Sequence, residues 1–309
     1  MSDDLKLVHQ ILTTIPVVAD LAVDAYTVTR LGGLTNLVFL IDTGNDRYVL
    51  RIPGKGTEEY INREVEIHNA RIAAQAGVSA DVIYADTQTG VMLTRHIDGI
   101  VTMTPDEFGR REGAAARAGR ALKKMHEWPE AFEFRFELFS MIDEYLAILD
   151  ERKAELPEGY TAVVESAQPV RAALERSPVK LAPCHCDPLC ENFLDSGERM
   201  WVVDWEYSGM NDPLWDLGDL SVEAGFTAAQ DMELMRAYCG GEPGRAELGR
   251  MVIYKAMCDL LWTLWGLIQH SDGNPAEDFW AYSIGRFERC KALMTSTDFA
   301  RHLQAINGS

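Results

Sequence analysis

Basic charge is what this sequence has least of. Its 309 residues hold 29 lysines and arginines against 48 aspartates and glutamates, a net charge of −19. A chain this acidic is repelled by nucleic acid and by anionic membrane surfaces, so neither is expected as a partner. The same field would draw in small cations. Cysteine is missing before residue 184; six follow, at 184, 186, 190, 239, 258 and 290. That is too sparse and uneven for the disulfide framework of a small secreted domain. The first residues, MSDDLKLVHQ, lack a basic n-region, so no signal peptide is expected. No long apolar run is clean either. The best candidate, MVIYKAMCDLLWTLWGLIQ, is interrupted by Lys255 and Asp259 and reads as a buried helix. Repeats, low-complexity tracts and Gly/Ser linkers are also absent. What remains is 47% apolar and 25% charged, ordinary for a globular chain with room for a core. A reduced, cytoplasmic protein is the expectation.

The chain changes character along its length. Residues 3–23 predict a short helix, and 26–31, 37–42 and 47–52 predict an antiparallel meander with turns at the glycines and at TGND. Ile61, Val65, His68 and Ile72 recur at helical spacing before Gly77, a suitable stop. Residues 80–99 predict two more short strands. From Thr104 the pattern is mostly helical, with candidates at 105–127, 136–154, 158–176, 227–239, 246–270 and 276–304. A loop and a hairpin of strands at 191–194 and 200–204 interrupt them. The natural seam lies near residues 97–99. An α+β fold follows, with an N-terminal lobe over 1–98 (a five-stranded antiparallel sheet and one helix) and a larger, mostly helical lobe over 99–309.

Phosphoryl transfer needs a cover over the phosphates, a cation beside them, oxygens to hold a divalent metal, and a base for the acceptor hydroxyl. LGGLTN offers the cover: Gly32 and Gly33 lie between two strands, where backbone can approach phosphate, although an ordinary hairpin turn looks the same. Arg51, at the end of the third strand, is the candidate cation, and Glu64, early in the next helix, its candidate carboxylate partner. His185-Cys186-Asp187-Pro188-Leu189-Cys190-Glu191-Asn192 reads H-x-D-x-x-x-x-N, the spacing of a kinase catalytic loop. Asp187 would take the hydroxyl proton, Asn192 would turn its side-chain oxygen to a metal ion, and Asp204, after the hairpin, would be the second metal ligand.

The crowded cysteines invite other readings. Cys184, His185, Cys186 and Cys190 could be zinc ligands, but no second cluster closes a four-ligand shell. A cysteine nucleophile beside His185 would leave the Asp–Asn–Asp pattern unexplained. Semi-buried thiols fit better.

With GGLTN, VLRIPG, HCDPLCEN and VDWEYSG…PLWDLGDLSVE, the chain resembles the choline/ethanolamine kinase family, within the larger group of aminoglycoside phosphotransferases and protein-kinase-like folds. The similarity runs from about residue 26 to residue 287. It implies a two-lobed kinase fold, ATP and Mg²⁺. By position it implies that Gly32, Gly33 and Asn36 cover the nucleotide and that Arg51 and Glu64 pair. It further implies that residues 93–97, with Leu93, Arg95 and Ile97, form the adenine-facing hinge, that Asn192 and Asp204 hold the metal, and that Asp216 braces the catalytic loop. Where the family has glycine before the loop asparagine, this chain has Glu191.

The resemblance also implies a small amino-alcohol substrate. A quaternary ammonium donates no hydrogen bond and is held by ring faces and nearby carboxylates. Trp262 and Trp265 share one helical face, Tyr282 and Tyr207 add rings, and Glu206 and Glu223 add negative charge; paired tryptophans on a helix are otherwise ordinary core residues. Phe279 and Trp280 are left aside. Choline is the leading acceptor. Ethanolamine, thiamine or an aminoglycoside are alternatives within the same chemistry, and a catalytically silent nucleotide-binding protein is the alternative outside it.

Overall fold

The computed structural model describes residues 3–32, 36–54 and 61–307. Helix α1 covers Asp3–Leu12, and strands β1 (Thr27–Gly32), β2 (Leu37–Asp42) and β3 (Arg47–Ile52) follow. Helix α2 is Arg63–Gln75, and β4 (Val82–Ala85) and β5 (Met92–Arg95) complete an antiparallel sheet of order β1-β2-β3-β5-β4. The predicted helix over 3–23 stops at Leu12. Beyond it Thr13 and Thr14 turn their hydroxyls back to the carbonyls of Gln10 and Ile11, and Pro16 lacks the amide that a continuing helix needs.

Strand alternation sorts the sheet into two faces. Phe39 lies opposite Leu50, and Leu50 opposite Leu93. With Ile41 they are fully buried in one small core with Val8, Leu12 and Ile15. Arg51, next in line, sits opposite Val38 and Met92 on the other face. Asn62 starts α2 by accepting from the amides of Glu64 and Val65 at 3.1 and 3.2 Å, and Gly77, with φ +62°, closes the turn after it.

The second lobe begins with β6 (Val101–Thr102), α3 (Pro105–Arg110), α4 (Ala114–His126), α5 (Leu138–Glu151), α6 (Tyr160–Ser166) and α7 (Gln168–Arg176). Strands β7 (Ala182–Cys184), β8 (Phe193–Asp195), β9 (Met200–Val202) and β10 (Gly209–Asn211) carry the loop segment. Then come α8 (Leu214–Glu223), α9 (Ala228–Cys239), α10 (Arg245–Ser271), α11 (Phe279–Met294) and α12 (Thr297–Asn307). Glycine divides the predicted 105–127 helix, since Gly113 takes φ +72° between α3 and α4. Helix α8 went unpredicted. Helix α10 has the length and apolarity of a membrane span, but 78% of its most apolar window is buried inside the protein, packed by α5, α8, α11 and α12.

Helix α2 belongs to the second core rather than to the sheet's. Ile67, Ala70 and Ala73 pack into the cluster that includes Met103, Phe193, Val202 and Trp205. Asn69 donates to the Ser208 carbonyl at 3.0 Å, Val202 donates to the Val78 carbonyl at 2.9 Å, and Trp205 donates to Ser79 Oγ at 3.1 Å.

Candidate active site

The loop between β7 and β8 is fixed from below by one carboxylate. Asp216, on α8 and fully buried, accepts from the His185 amide at 2.7 Å, from the Cys186 amide at 2.9 Å and from His126 Nε2 at 3.0 Å. Trp215 donates to the Cys186 carbonyl at 3.0 Å. These bonds hold Cys186 at φ +67°, a left-handed turn that a non-glycine residue adopts only when its surroundings enforce it. The turn delivers Asp187.

The hairpin brings the two metal-ligand candidates together. Phe193 pairs with Val202, so Asn192 falls opposite Val203, whose amide donates to the Asn192 carbonyl at 2.9 Å. Asp204 follows directly, at φ +66°. The Asn192 side chain donates through Nδ2 to the Asp187 carbonyl at 3.0 Å, which leaves its Oδ1 as the end that can face a cation. His185 donates from Nε2 to the Val203 carbonyl at 2.8 Å and clasps the two segments. Glu191 is exposed in a short 3₁₀ turn and is not among the described non-glycine residues with positive φ, so nothing in the backbone there requires glycine.

Asp187 is half-buried in a negative neighbourhood. Burial, and then the charges of Glu223, Asp204 and Glu206, push its carboxyl well above the usual range against the pull of Arg286. Hard oxygen donors at Asn192 and Asp204, set in this excess of negative charge, suit a hard divalent cation. The neighbouring thiols are not chemical groups of the same kind. Burial pushes Cys184 and Cys186 well above the ordinary thiol range, so they stay protonated and pack the core.

Arg51 reaches this cluster from the sheet. Its Nη1 lies 2.9 Å from Asp204 Oδ1 and 3.9 Å from Glu206, and its Nη2 pairs closely with Glu66. Burial alone would lower the Arg51 pKa; the carboxylates of Glu66, Asp204 and Glu206 reverse that and raise it. The expected partner Glu64 is solvent-exposed at the start of α2, and Glu66, 1% exposed, makes the pair instead. The face of α2 that packs inward carries Glu66 with Ile67, Ala70 and Ala73, and Glu64 points off it. Arg63 joins at 2.7 Å from Glu66 and 3.5 Å from Glu206.

Glu206 is a second correction. It was expected beside the substrate, but it faces the first lobe, accepting from Asn36 at 3.3 Å and meeting both arginines. Burial and Asp204 push its carboxyl up to about 7, opposed by Arg51. Asn36 is buried between Glu206 and the Gly54 amide, and Gly32 ends β1 with φ +140°; Gly33 lies outside the described residues. In the hinge, Leu93 is buried on the face opposite Arg51, and Arg95 pairs at the surface with Asp46 at 3.5 Å. Both share Leu50's side of the pleat, whereas Thr94 between them is on Arg51's side. Ile97 is half-buried beyond the strand.

The predicted rings do assemble. Ring centroids lie 5.7 Å apart for Tyr207 and Trp262, 6.5 Å for Trp262 and Trp265, and 5.9 Å for Trp265 and Tyr282. Trp265 donates to the Tyr207 hydroxyl at 3.2 Å, and Phe279 packs on Trp265 at 5.6 Å. Glu223 reaches the same region but pairs with Arg286 at 2.5 Å, and the Arg286 guanidinium lies 4.6 Å over the Tyr282 ring. Sequence reasoning missed Glu66, Arg63, Arg286 and Asp219. The last of these accepts from Trp262 Nε1 at 3.1 Å.

The profile of the phosphotransferase enzyme family matches residues 27–249. The structure superposes on a solved choline/ethanolamine kinase family protein from Mesorhizobium loti with a TM-score of 0.91 and 58% identity, covering 98% of this chain and 99% of that one. It superposes on choline kinase LicA from Streptococcus pneumoniae with a TM-score of 0.78 and 25% identity, covering 95% and 99%. Protein LicA of Haemophilus influenzae is 27% identical over 272 residues, 86% of this chain and 79% of that protein.

Proposed function

For a chain that belongs to the choline/ethanolamine kinase family of phosphotransferases, and so is a kinase acting on an alcohol acceptor, we propose that ATP is the donor, Mg²⁺ the metal and choline the acceptor. The observation that supports choline is the cluster of Tyr207, Trp262, Trp265 and Tyr282, four ring systems in mutual contact in a lobe where Glu223 also acts on Asp187. Ring faces attract a cation that has no N–H to donate, by about 0.5–2 kcal/mol per contact.

In this reading Asp187 accepts the proton of the choline hydroxyl as its oxygen attacks the γ-phosphorus. The new O–P bond forms as the bond to the bridging oxygen breaks, and ADP leaves. Asp216 keeps the Asp187 turn in place through the His185 and Cys186 amides. Asn192 Oδ1 and Asp204 would hold Mg²⁺, which would supply charge neutralisation at the phosphate oxygens. Arg51 places a fixed, planar cation on the phosphate side, and Glu66 orients it. Cations entering the cleft would offset the negative neighbours that, after burial, raise Asp187, and so favour the ionised form that a base requires.

The test is ADP release with ATP and Mg²⁺ across choline, ethanolamine, thiamine and an aminoglycoside at matched concentrations. Choline is expected to give the highest kcat/KM. A higher value for ethanolamine, or no turnover with any amino alcohol, overturns the proposal.

A further inference from the structure

Helix α8 carries three acids on one face, Asp216, Asp219 and Glu223, at spacings of three and four. The first braces the catalytic loop. The third is paired with Arg286 at 2.5 Å. Asp259, beside it, is held by Arg289 at 2.6 and 2.7 Å and by Arg286 at 3.3 Å. Among the described residues Asp219 makes no such ion pair, and Arg286 acts on it only from farther off. Its Oδ2 accepts from Trp262 Nε1 at 3.1 Å, while its Oδ1 is buried without a hydrogen-bond partner among the described residues. A carboxylate oxygen enclosed and unpaired is costly, and a fold keeps one where something else meets its charge.

Resting on the amino-alcohol kinase reading above, we propose that Asp219 is the specificity-determining residue for the acceptor's positive charge, acting from behind Trp262. The geometry divides the acceptor between two carboxylates without ion-pair partners among the described residues. Asp187 serves the hydroxyl end and Asp219 the ammonium end. Asp219 acts in two ways. Its charge attracts the cation across a low-dielectric, ring-lined space. By accepting the indole N–H it also polarises Trp262, making that ring face more negative toward a cation. Glu223, positioned as the pocket carboxylate by resemblance, instead fixes Arg286 over Tyr282 and so sets the outer wall. Burial and Glu223, and after them Asp187, raise the Asp219 carboxyl, and a cation entering beside it would favour its ionised form.

The test replaces charge without removing the hydrogen bond. In Asp219→Asn the side-chain carbonyl can still accept from Trp262. KM for choline is expected to rise about tenfold, the scale of one lost charge–charge contact near a partly shielded site. KM for 3,3-dimethylbutan-1-ol, the neutral carbon isostere of choline, KM for ATP and kcat are each expected to stay within about twofold. Asp219→Glu is expected to keep the preference for choline over its neutral isostere. Equal losses for choline and the neutral alcohol would mark a merely structural residue and overturn the proposal, as would an unchanged KM for choline. Calorimetric titration of choline into wild type and Asp219→Asn separates this from failure of the functional reading. If the wild type turns over no amino alcohol, that reading falls. A tenfold weaker Kd in the variant still supports the role of Asp219, and an equal or unmeasurable Kd in both proteins overturns it.

Discussion

Gly266→Ala asks whether the aromatic cluster is fixed by helix packing or by the rings themselves. Glycine inside a helix costs about 1 kcal/mol against alanine, so its place near the end of the 27-residue α10 needs a reason. The reason is visible one helix away. A Cβ built on Gly266 would meet Ser283 Oγ, and Tyr282 Cδ1 at 2.7 Å, where ordinary contact begins at 3.4 Å. Neither neighbour can swing clear. Ser283 is fully buried and donates to the Phe279 carbonyl at 2.8 Å, and the Tyr282 ring is held between Trp265 and Arg286. The methyl therefore requires α11 or the Tyr282 ring to move by several tenths of an ångström. Overpacking of that kind costs about 1–3 kcal/mol. Alanine's better helix propensity returns about 1 of it, leaving a net loss of up to about 2 kcal/mol. Thermal unfolding is expected to drop by a few degrees, at about 2–4 °C per kcal/mol for a large domain. The acceptor's KM is expected to rise severalfold while KM for ATP holds, because the displaced ring belongs to the proposed acceptor cluster. A variant with a higher midpoint and an unchanged acceptor KM would refute the reasoning.

Two further outcomes discriminate between neighbouring residues. Glu66→Ala is expected to destabilise by about 3–5 kcal/mol, because it strands the buried charges of Arg51 and Arg63, whereas Glu64→Ala at its exposed position is expected to stay within about 0.5 kcal/mol in urea denaturation; the reverse order would place the kinase-type pair on the wrong carboxylate. With an aromatic disulfide reagent at pH 8, Cys239, the one half-buried cysteine, is expected to react first. The thiols of Cys184, Cys186 and Cys258, all pushed well above their ordinary range by burial, are expected to stay protonated and silent until unfolding, so fast native labelling at any of the three would contradict their buried placement.

The readable parts of the fold were those with a strict local period. β2 and β3 appeared at their full bounds because Phe39, Ile41 and Leu50 alternate with outward residues. The loop motif was readable because its polar residues are close in sequence, and the short β8–β9 hairpin returns the chain to the same place. What failed was phase and adjacency. Of the stripe Ile61, Val65, His68, Ile72, Ile61 and Ile72 are buried, but Val65 and His68 are half-buried, and the packed face is centred on Glu66, Ile67, Ala70 and Ala73, because α2 buries charged and small residues against the second lobe. Hydrophobicity cannot show a buried glutamate whose partner arrives from another strand. Helix α8 was hidden for the same reason, since three acids on its inner face mask the apolar pattern. Glu206 was assigned to the wrong side because Tyr207, its chain neighbour, does join the rings. The two lie in a turn, where neighbouring side chains can part: Glu206 meets Asn36, Arg51 and Arg63, while Tyr207 joins the rings.

The same packing says how the site is held before any ligand enters. Because α2 shares the second lobe's core, and it and the turn after it are tied to the segment around Asp204 through Asn69, Val78 and Ser79, Glu66 cannot leave without breaking that core. Arg51, by contrast, stands on a strand of the sheet, whose own small core lies on the opposite face, against α1. The sheet's outer face therefore packs apart from α2, although Met92 of β5 joins the second core, and at the active site Arg51 and Asn36 reach from the first lobe to carboxylates on the far side. Any movement of the sheet away from the second lobe has to stretch the ion pairs of Arg51 to Glu66 and Asp204. Partly buried pairs of this kind resist separation, because each charge would be left without its partner. The arrangement keeps the pair of Arg51 and Glu66 assembled at rest, so the proposed base, the metal-ligand candidates and the proposed phosphate-side cation are held near one another before any ligand enters.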